Sequence, residues 1–182
     1  MKDLIIQSVY LVLPAYFANM APVIFDKLKL LKFLAHPIDG GAQWRGDFVF
    51  GKNKTWRGIV SAVIMAVMVT GLQAVLMNQE YFRAISLIDY QSLWLVFGIL
   101  AGLGAILGDL LKSFFKRRFK IASGSSWLIF DQLDFIAGFF IFTYFLFLPP
   151  FRIVVTVFVL TLVLHPLTNL LAYLLKIKKV WW

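Results

Sequence analysis

The sequence predicts an all-α integral membrane protein with five transmembrane helices and its extended polar loops on one face. Three observations carry that prediction. Hydrophobic residues make up 61% and aromatics 17% of the 182 residues, with a mean hydropathy of +0.84, which is too apolar for a water-soluble globule. Charge-free stretches long enough to cross a bilayer recur along the chain. The polar segments between them differ sharply in length and in charge. One membrane-embedded domain over 1–182 accommodates all of this.

A spanning helix needs roughly 20 largely apolar residues. Leu4 to Phe25, Gly58 to Gln79, Tyr90 to Gly108, Phe135 to Phe151 and Ile153 to Leu175 carry no charged side chain, so spans are placed at 4–25, 58–79, 90–111, 131–149 and 153–175. The first is read as a retained span, because its charged start is minimal and no small-residue cleavage pattern follows. Cytoplasmic loops accumulate Lys and Arg. The loop 26–57 holds seven, the loop 112–130 holds five, and the C-terminal tail holds Lys176, Lys178 and Lys179; only Lys2, Arg83 and Arg152 fall on the opposite side. Fifteen against three places the N-terminus outside and the C-terminus in the cytoplasm of a multi-pass cell-membrane protein.

The pI of 9.9 needs no nucleic acid, since membrane lipids with anionic headgroups already favour basic residues beside the bilayer. With no cysteine, a disulfide framework and a thiolate nucleophile are both excluded.

Six of the nine acidic residues, Asp26, Asp39, Asp47, Asp109, Asp131 and Asp134, lie on or beside the face assigned to the cytoplasm. A charge at the centre of a spanning helix costs about 2.5–3.5 kcal/mol on insertion scales, so such residues turn toward cavities or partners. Asp109 ends the third span, and Ser113, Lys116 and Arg117 follow at spacings of four, seven and eight. If the helix continues, all four share one face, where they hold a metal and a phosphate chain or else form an interfacial helix end whose cations reach lipid phosphates.

Asp131 and Asp134 are three apart and share a face at the start of the fourth span. Two carboxylates that close repel unless a cation joins them. Mg2+ suits the pair because it takes oxygen ligands and is commonly shared with substrate phosphates; Mn2+ is an alternative occupant. Pairing with Lys116 to Arg118 without any metal is the other reading.

The segment Gly51-Lys52-Asn53-Lys54-Thr55-Trp56-Arg57-Gly58 offers cations, amide and hydroxyl donors, fitting either a triphosphate or simple electrostatic anchoring. It lacks the spacing of a Walker A loop. Asn19, between Pro14 and Pro22 in the first span, either lines the cavity or satisfies backbone around the kinks. His165 and Asn169 in the last span are expected to pack between helices. Gly98, Gly102 and Gly104 suggest close helix contact.

Gly108-Asp109, Ser113, Lys116-Arg117 and Asp131-Gln132-Leu133-Asp134 resemble the signature of the CTP-dependent cytidylyltransferases of lipid synthesis. Asn19 to Pro22, Pro37-Ile38-Asp39-Gly40 and the Gly51–Gly58 loop bring the resemblance closer to the CDP-archaeol synthase family, in order along most of the chain. The His-Gly-Gly that precedes the aspartates in CDP-diacylglycerol synthases is absent, Trp127-Leu128-Ile129-Phe130 standing there. Gly124-Ser125-Ser126-Trp127 replaces the proline-containing stretch of archaeal members.

The resemblance implies a single catalytic domain over 1–182 with five transmembrane helices and a cytoplasm-facing polar cavity, and transfer of CMP from CTP to 2,3-di-O-geranylgeranylglyceryl 1-phosphate. The products are then CDP-archaeol and pyrophosphate, with phosphatidic acid or another lipid phosphate as the alternative acceptor. The resemblance also implies Mg2+ on Asp109, Asp131 and Asp134, and catalytic roles for these three with Lys116 and Arg117. Asn19, Asp39, Asn53, Lys54, Thr55, Arg57 and Ser113 are then expected to bind substrate. A small anion or lipid transporter, the reading from another class, predicts polar residues on both sides of the midplane; here they crowd one face.

Overall fold

The computed structural model describes residues 1–122, 125 and 127–176; Gly124, Ser126, Lys178 and Lys179 of the sequence reading lie outside the described residues. The described chain is mostly helical: α1 (Lys2–Lys27), α2 (Trp56–Leu76), α3 (Glu80–Ile85), α4 (Tyr90–Arg118), α5 (Leu128–Thr143) and α6 (Phe151–Leu174). Of these, α1, α2, α4 and α6 are long and apolar enough to cross a membrane. Their outward faces are oily, with Met68, Leu72 and Val75 of α2 exposed, as lipid-facing surface requires.

Two boundaries, the end of α4 and the end of α5, differ from the sequence reading by more than three residues. Helix α4 runs past residue 111 to Arg118, so the segment expected to be a loop from 112 begins as helix and delivers four cations, Lys112, Lys116, Arg117 and Arg118, on rigid backbone. Helix α5 begins at Leu128 and ends at Thr143 instead of spanning 131–149. Its end is marked by Thr143, which returns its hydroxyl to the Phe139 carbonyl at 2.8 Å, by the turn bond from Leu146 N to Thr143 O at 3.0 Å and, beyond them, by Pro149 and Pro150, which cannot continue a helix. The short α3 stands in the polar link expected between the second and third spans.

The protein is not wholly α. In the loop between α1 and α2, β1 (Gln43–Trp44) and β2 (Asp47–Phe48) pair antiparallel. The two residues between them, Arg45 and Gly46, have φ of 55° and 83°, the left-handed backbone a two-residue hairpin requires. Arg118 fastens this hairpin to the end of α4, donating to the carbonyls of Trp44 at 2.9 Å and Phe48 at 2.7 Å and lying over the Trp44 and Phe114 rings.

Small residues bring the helices together. Ala62 and Ala66 of α2 and Ala101 and Ala105 of α4 are buried, and a side chain at Gly98 or Gly102 would strike the backbone of α2. On its other side, α4 meets α5 through Gly104 and Gly108. Between these contacts runs an edge-to-face aromatic series, Tyr10 to Tyr90 to Phe97 to Phe139, with centroids 5.8–5.9 Å apart, a favoured geometry for buried rings. Buried polar groups bridge helices: Gln73 donates to the Tyr10 carbonyl at 2.7 Å, and Tyr16 and Thr161 hydroxyls lie 2.8 Å apart. Thus α1, α4, α5 and α6 enclose one space, with the loop before α2 at its mouth.

Candidate active site

That space is a cavity of about 920 Å3. Its walls come from Tyr16, Asn19 and Asp26 on α1, from Lys52 to Thr55 and Arg57, from the α4 stripe, from Asp131 and Gln132 on α5, and from His165 and Asn169 on α6. The stripe expected on α4 is realised: Asp109, Ser113, Lys116 and Arg117 all line the cavity, because the helix continues unbroken to Arg118.

The charged groups form a connected network. Asp109 pairs with Lys54 of the loop and, at 3.1 Å, with Lys112 one turn along its own helix. The Lys112 ammonium also stands 3.0 Å from Asp131 and 2.6 Å from Asp134. Lys116 donates to both oxygens of Asp131, at 2.8 and 3.0 Å, and to the Ser125 carbonyl at 2.7 Å. The Trp127 amide completes the cradle by donating to Asp131 at 2.5 Å. All three carboxylates are largely withdrawn from solvent, Asp134 most of all at 7% side-chain exposure. In such surroundings an unpaired charge would be strongly disfavoured, and each one here has a cation within reach.

Lys112 is the residue the sequence reading missed. It was counted as a loop charge, although its i+3 spacing from Asp109 and the unmet need of three carboxylates for a cation were both visible. His165 and Asn169, expected only to pack, also line the cavity. Lys116 is the only one of the cations 116–118 to pair with the paired aspartates among the described residues. Arg118 is turned to the hairpin instead.

Other expected residues take other positions. Asp39 does not line the cavity. Its carboxylate accepts from the Gly41 amide at 3.0 Å and the Phe50 amide at 3.1 Å, the Asx-turn bonding favoured in a Pro-x-Asp-Gly turn. With Ile38 N bonded to Lys54 O at 3.0 Å, Asp39 holds the loop that presents Lys52 to Thr55. Thr55 lines the cavity and also caps α2, accepting from Gly58 N at 3.2 Å. Arg57 pairs with Asp26, joining the start of α2 to the end of α1. Asn19 and Asn53 are on the wall.

The donors suit a divalent cation accompanied by phosphate. The carboxylates supply oxygen ligands only, as Mg2+ prefers. The buried Oδ2 of Asp134 has no aligned hydrogen-bond donor among the described residues, although the Lys112 ammonium is near it as a charge. Among those residues the aspartates do not form a preassembled metal cage; they converge on lysine.

A multi-pass helical protein with acids and bases gathered along one cavity is equipped to bind phosphates beside lipid. Comparison with known proteins narrows that class. The family model for CarS-like CDP-archaeol synthase matches residues 1–182. A CDP-archaeol synthase of Thermofilum pendens is 38% identical over 97% of this chain and 80% of its own. That of Pyrococcus abyssi is 37% identical over 98% of each, and that of Methanosarcina barkeri is 35% identical over 93% of this chain and 99% of its own. A solved structure, described as an intramembrane enzyme of archaeal membrane lipid biosynthesis, superimposes with a TM-score of 0.72 at 28% identity, over 88% of this chain and 91% of that one. The chain belongs to the CDP-archaeol synthase family, CTP-dependent cytidylyltransferases of archaeal membrane lipid synthesis. CTP and a lipid phosphate are its substrates.

Proposed function

We propose that the chain is a single catalytic domain over 1–182 with five spans. Helix α5 and the segment to Pro149 make the fourth crossing, the N-terminus is outside, and the cavity opens to the cytoplasm. The acceptor is the isoprenoid diether 2,3-di-O-geranylgeranylglyceryl 1-phosphate, and the products are CDP-archaeol and pyrophosphate. The observation that carries the reading is the convergence of Asp109, Asp131 and Asp134 with Lys54, Lys112 and Lys116, all but Asp134 on the cavity wall. It gathers in one place what phosphoryl-type transfer needs.

The acceptor phosphate is already an anion. One of its oxygens attacks the α-phosphorus of CTP, the bond from that phosphorus to the bridging oxygen breaks, and pyrophosphate leaves with the electron pair. No protein nucleophile is required, which suits a chain without cysteine. The task of the protein is alignment and neutralisation. Lys54, Asn53 and Thr55 hold the nucleotide phosphates from the loop side. Lys116 and Arg117 neutralise phosphates from α4, and Ser113 donates a hydrogen bond from the same face. Asp109, Asp131 and Asp134 would hold Mg2+, which supplies further neutralisation of the triphosphate when bound. Asp39 acts through the loop as a positioning residue. The lipid chains lie against the apolar stretches of α1 and α6.

The test is transfer of radiolabelled CMP by purified protein, offering diether glycerol 1-phosphate and phosphatidic acid separately with Mg2+. Product on the diether alone is expected. Equal product on phosphatidic acid would remove the acceptor assignment, and no dependence on added Mg2+ after chelation would remove the metal.

A further inference from the structure

We propose that Lys112 is an internal counter-ion that makes metal binding at the aspartates conditional on the nucleotide. The inference rests on the metal reading above and adds an order to it: the divalent cation gains its ligands together with CTP and hardly without it.

The geometry places one ammonium where three carboxylates converge. Lys112 Nζ lies 3.1 Å from Asp109, 3.0 Å from Asp131 and 2.6 Å from Asp134, and its side chain is only 12% exposed. Two further ammoniums close the balance, Lys54 on Asp109 and Lys116 on Asp131. Three carboxylates and three lysines leave the network neutral, with no surplus negative charge to draw a strongly hydrated dication out of water. Mg2+ gives up water reluctantly. To ligate these aspartates it must displace ammoniums that are themselves largely buried, and a displaced buried charge needs a new partner. The triphosphate is that partner. It accepts Lys54, Lys112 and Lys116 and releases the carboxylate oxygens to the metal. Metal and nucleotide therefore raise one another's affinity by the same factor.

Removing the Lys112 charge alone should uncouple them. Three close carboxylates with two peripheral lysines repel one another, and a dication becomes their natural neutraliser even without phosphate. Lys112 is the decisive position because Lys54 and Lys116 each serve a single aspartate.

The experiment titrates Mn2+ into the full-length protein in detergent and follows the free-ion paramagnetic resonance signal, with and without a non-hydrolysable α,β-methylene analogue of CTP. The wild type is expected to bind Mn2+ at least about tenfold more tightly with the analogue, within the usual range of coupling between sites. Lys112→Met and Lys112→Gln, two neutral variants that guard against one failing to fold, should bind Mn2+ about tenfold more tightly than wild type without nucleotide, leaving little coupling. Lys112→Arg keeps the charge and should stay nucleotide-dependent. Wild-type binding that is equal with and without the analogue overturns the inference, as does unchanged nucleotide-free binding in both neutral variants. Lys112→Arg behaving like Lys112→Met would assign the effect to shape and overturn it too. An Asp131→Asn/Asp134→Asn double variant separates the two layers. If it holds Mn2+ with the analogue as tightly as wild type does, the aspartates are not ligands and the metal reading itself fails.

Discussion

Replacing Gly138 by alanine should damage both stability and turnover, because α5 reaches α4 through bare backbone. A Cβ at Gly138 would stand 2.9 Å from the Gly104 carbonyl carbon and 3.1 Å from the Gly108 Cα, with the Gly104 oxygen closer still. Ordinary contact begins near 3.4 Å, and every obstacle is main chain, so no side chain can swing aside. The Gly104 oxygen is the tightest of these, so the helices must separate by roughly 1 Å, an overpacking strain of about 1–3 kcal/mol. For a chain of this size that is a fall of some 2–4 °C in Tm per kcal/mol. The same shift moves Asp134, one turn before Gly138, away from Lys112. Since ~1 Å of misplacement can cost about a hundredfold in rate, a separation of that order should lower kcat about tenfold to a hundredfold. Thermal unfolding in detergent and CMP transfer at saturating CTP, on one preparation, read the two effects. Gly71→Ala is the control: its Cβ would meet the Trp94 ring at 3.5 Å, ordinary contact, so it should be neutral or slightly stabilising through helix propensity. A Gly138→Ala protein with parental Tm and kcat would refute the claim that this backbone contact sets the spacing of the aspartates.

Three further outcomes are expected. Asp131→Ala and Asp134→Ala should each reduce transfer by more than about a hundredfold, as loss of an electrostatic stabiliser does, while membrane insertion persists; near-normal transfer at saturating Mg2+ in either would remove that residue from the site. Lys54→Ala should raise the KM for CTP about tenfold, on the scale of one charge-assisted hydrogen bond, with less change in kcat, and steady-state kinetics on CTP decide the point. Arg118→Ala removes bonds to the Trp44 and Phe48 carbonyls and should cost about 1–3 kcal/mol while speeding proteolysis within residues 43–48; an unchanged cleavage rate would show that the hairpin is held by other contacts.

How much of this was legible in the sequence depends on which physical rule each feature obeys. The α4 stripe was legible because helical periodicity alone puts Asp109, Ser113, Lys116 and Arg117 on one face, and an apolar span that ends in charges forces them toward one end. The four long apolar helices were legible for the same kind of reason, since hydrocarbon thickness dictates their length. The end of α5 was not. Phe139 to Leu148 is apolar apart from Thr143 and Tyr144, so hydropathy runs smoothly through the point where the backbone leaves the helix. The hairpin escaped because two-residue strands are too short to show an alternation, and Arg45-Gly46 is not one of the dipeptides that signal a two-residue turn.

For Asp39 the reason is different. The resemblance carried by Pro37-Ile38-Asp39-Gly40 names a residue without saying what its carboxylate bonds, and the same four residues fit a turn whose aspartate binds nearby backbone, as the amides of Gly41 and Phe50 show. Lys112 shows the limit most plainly. Composition records that the face is rich in both signs, and spacing records which groups share a helix, but neither says which charge stands between the others. That depends on how closely α4 and α5 approach, and the approach is set by Gly104, Gly108 and Gly138, residues that carry no chemistry of their own. The chemistry of the site is thus written in its charged residues and its pairing in its glycines. A reading confined to the first finds charged residues that the fold brings together without finding their partners.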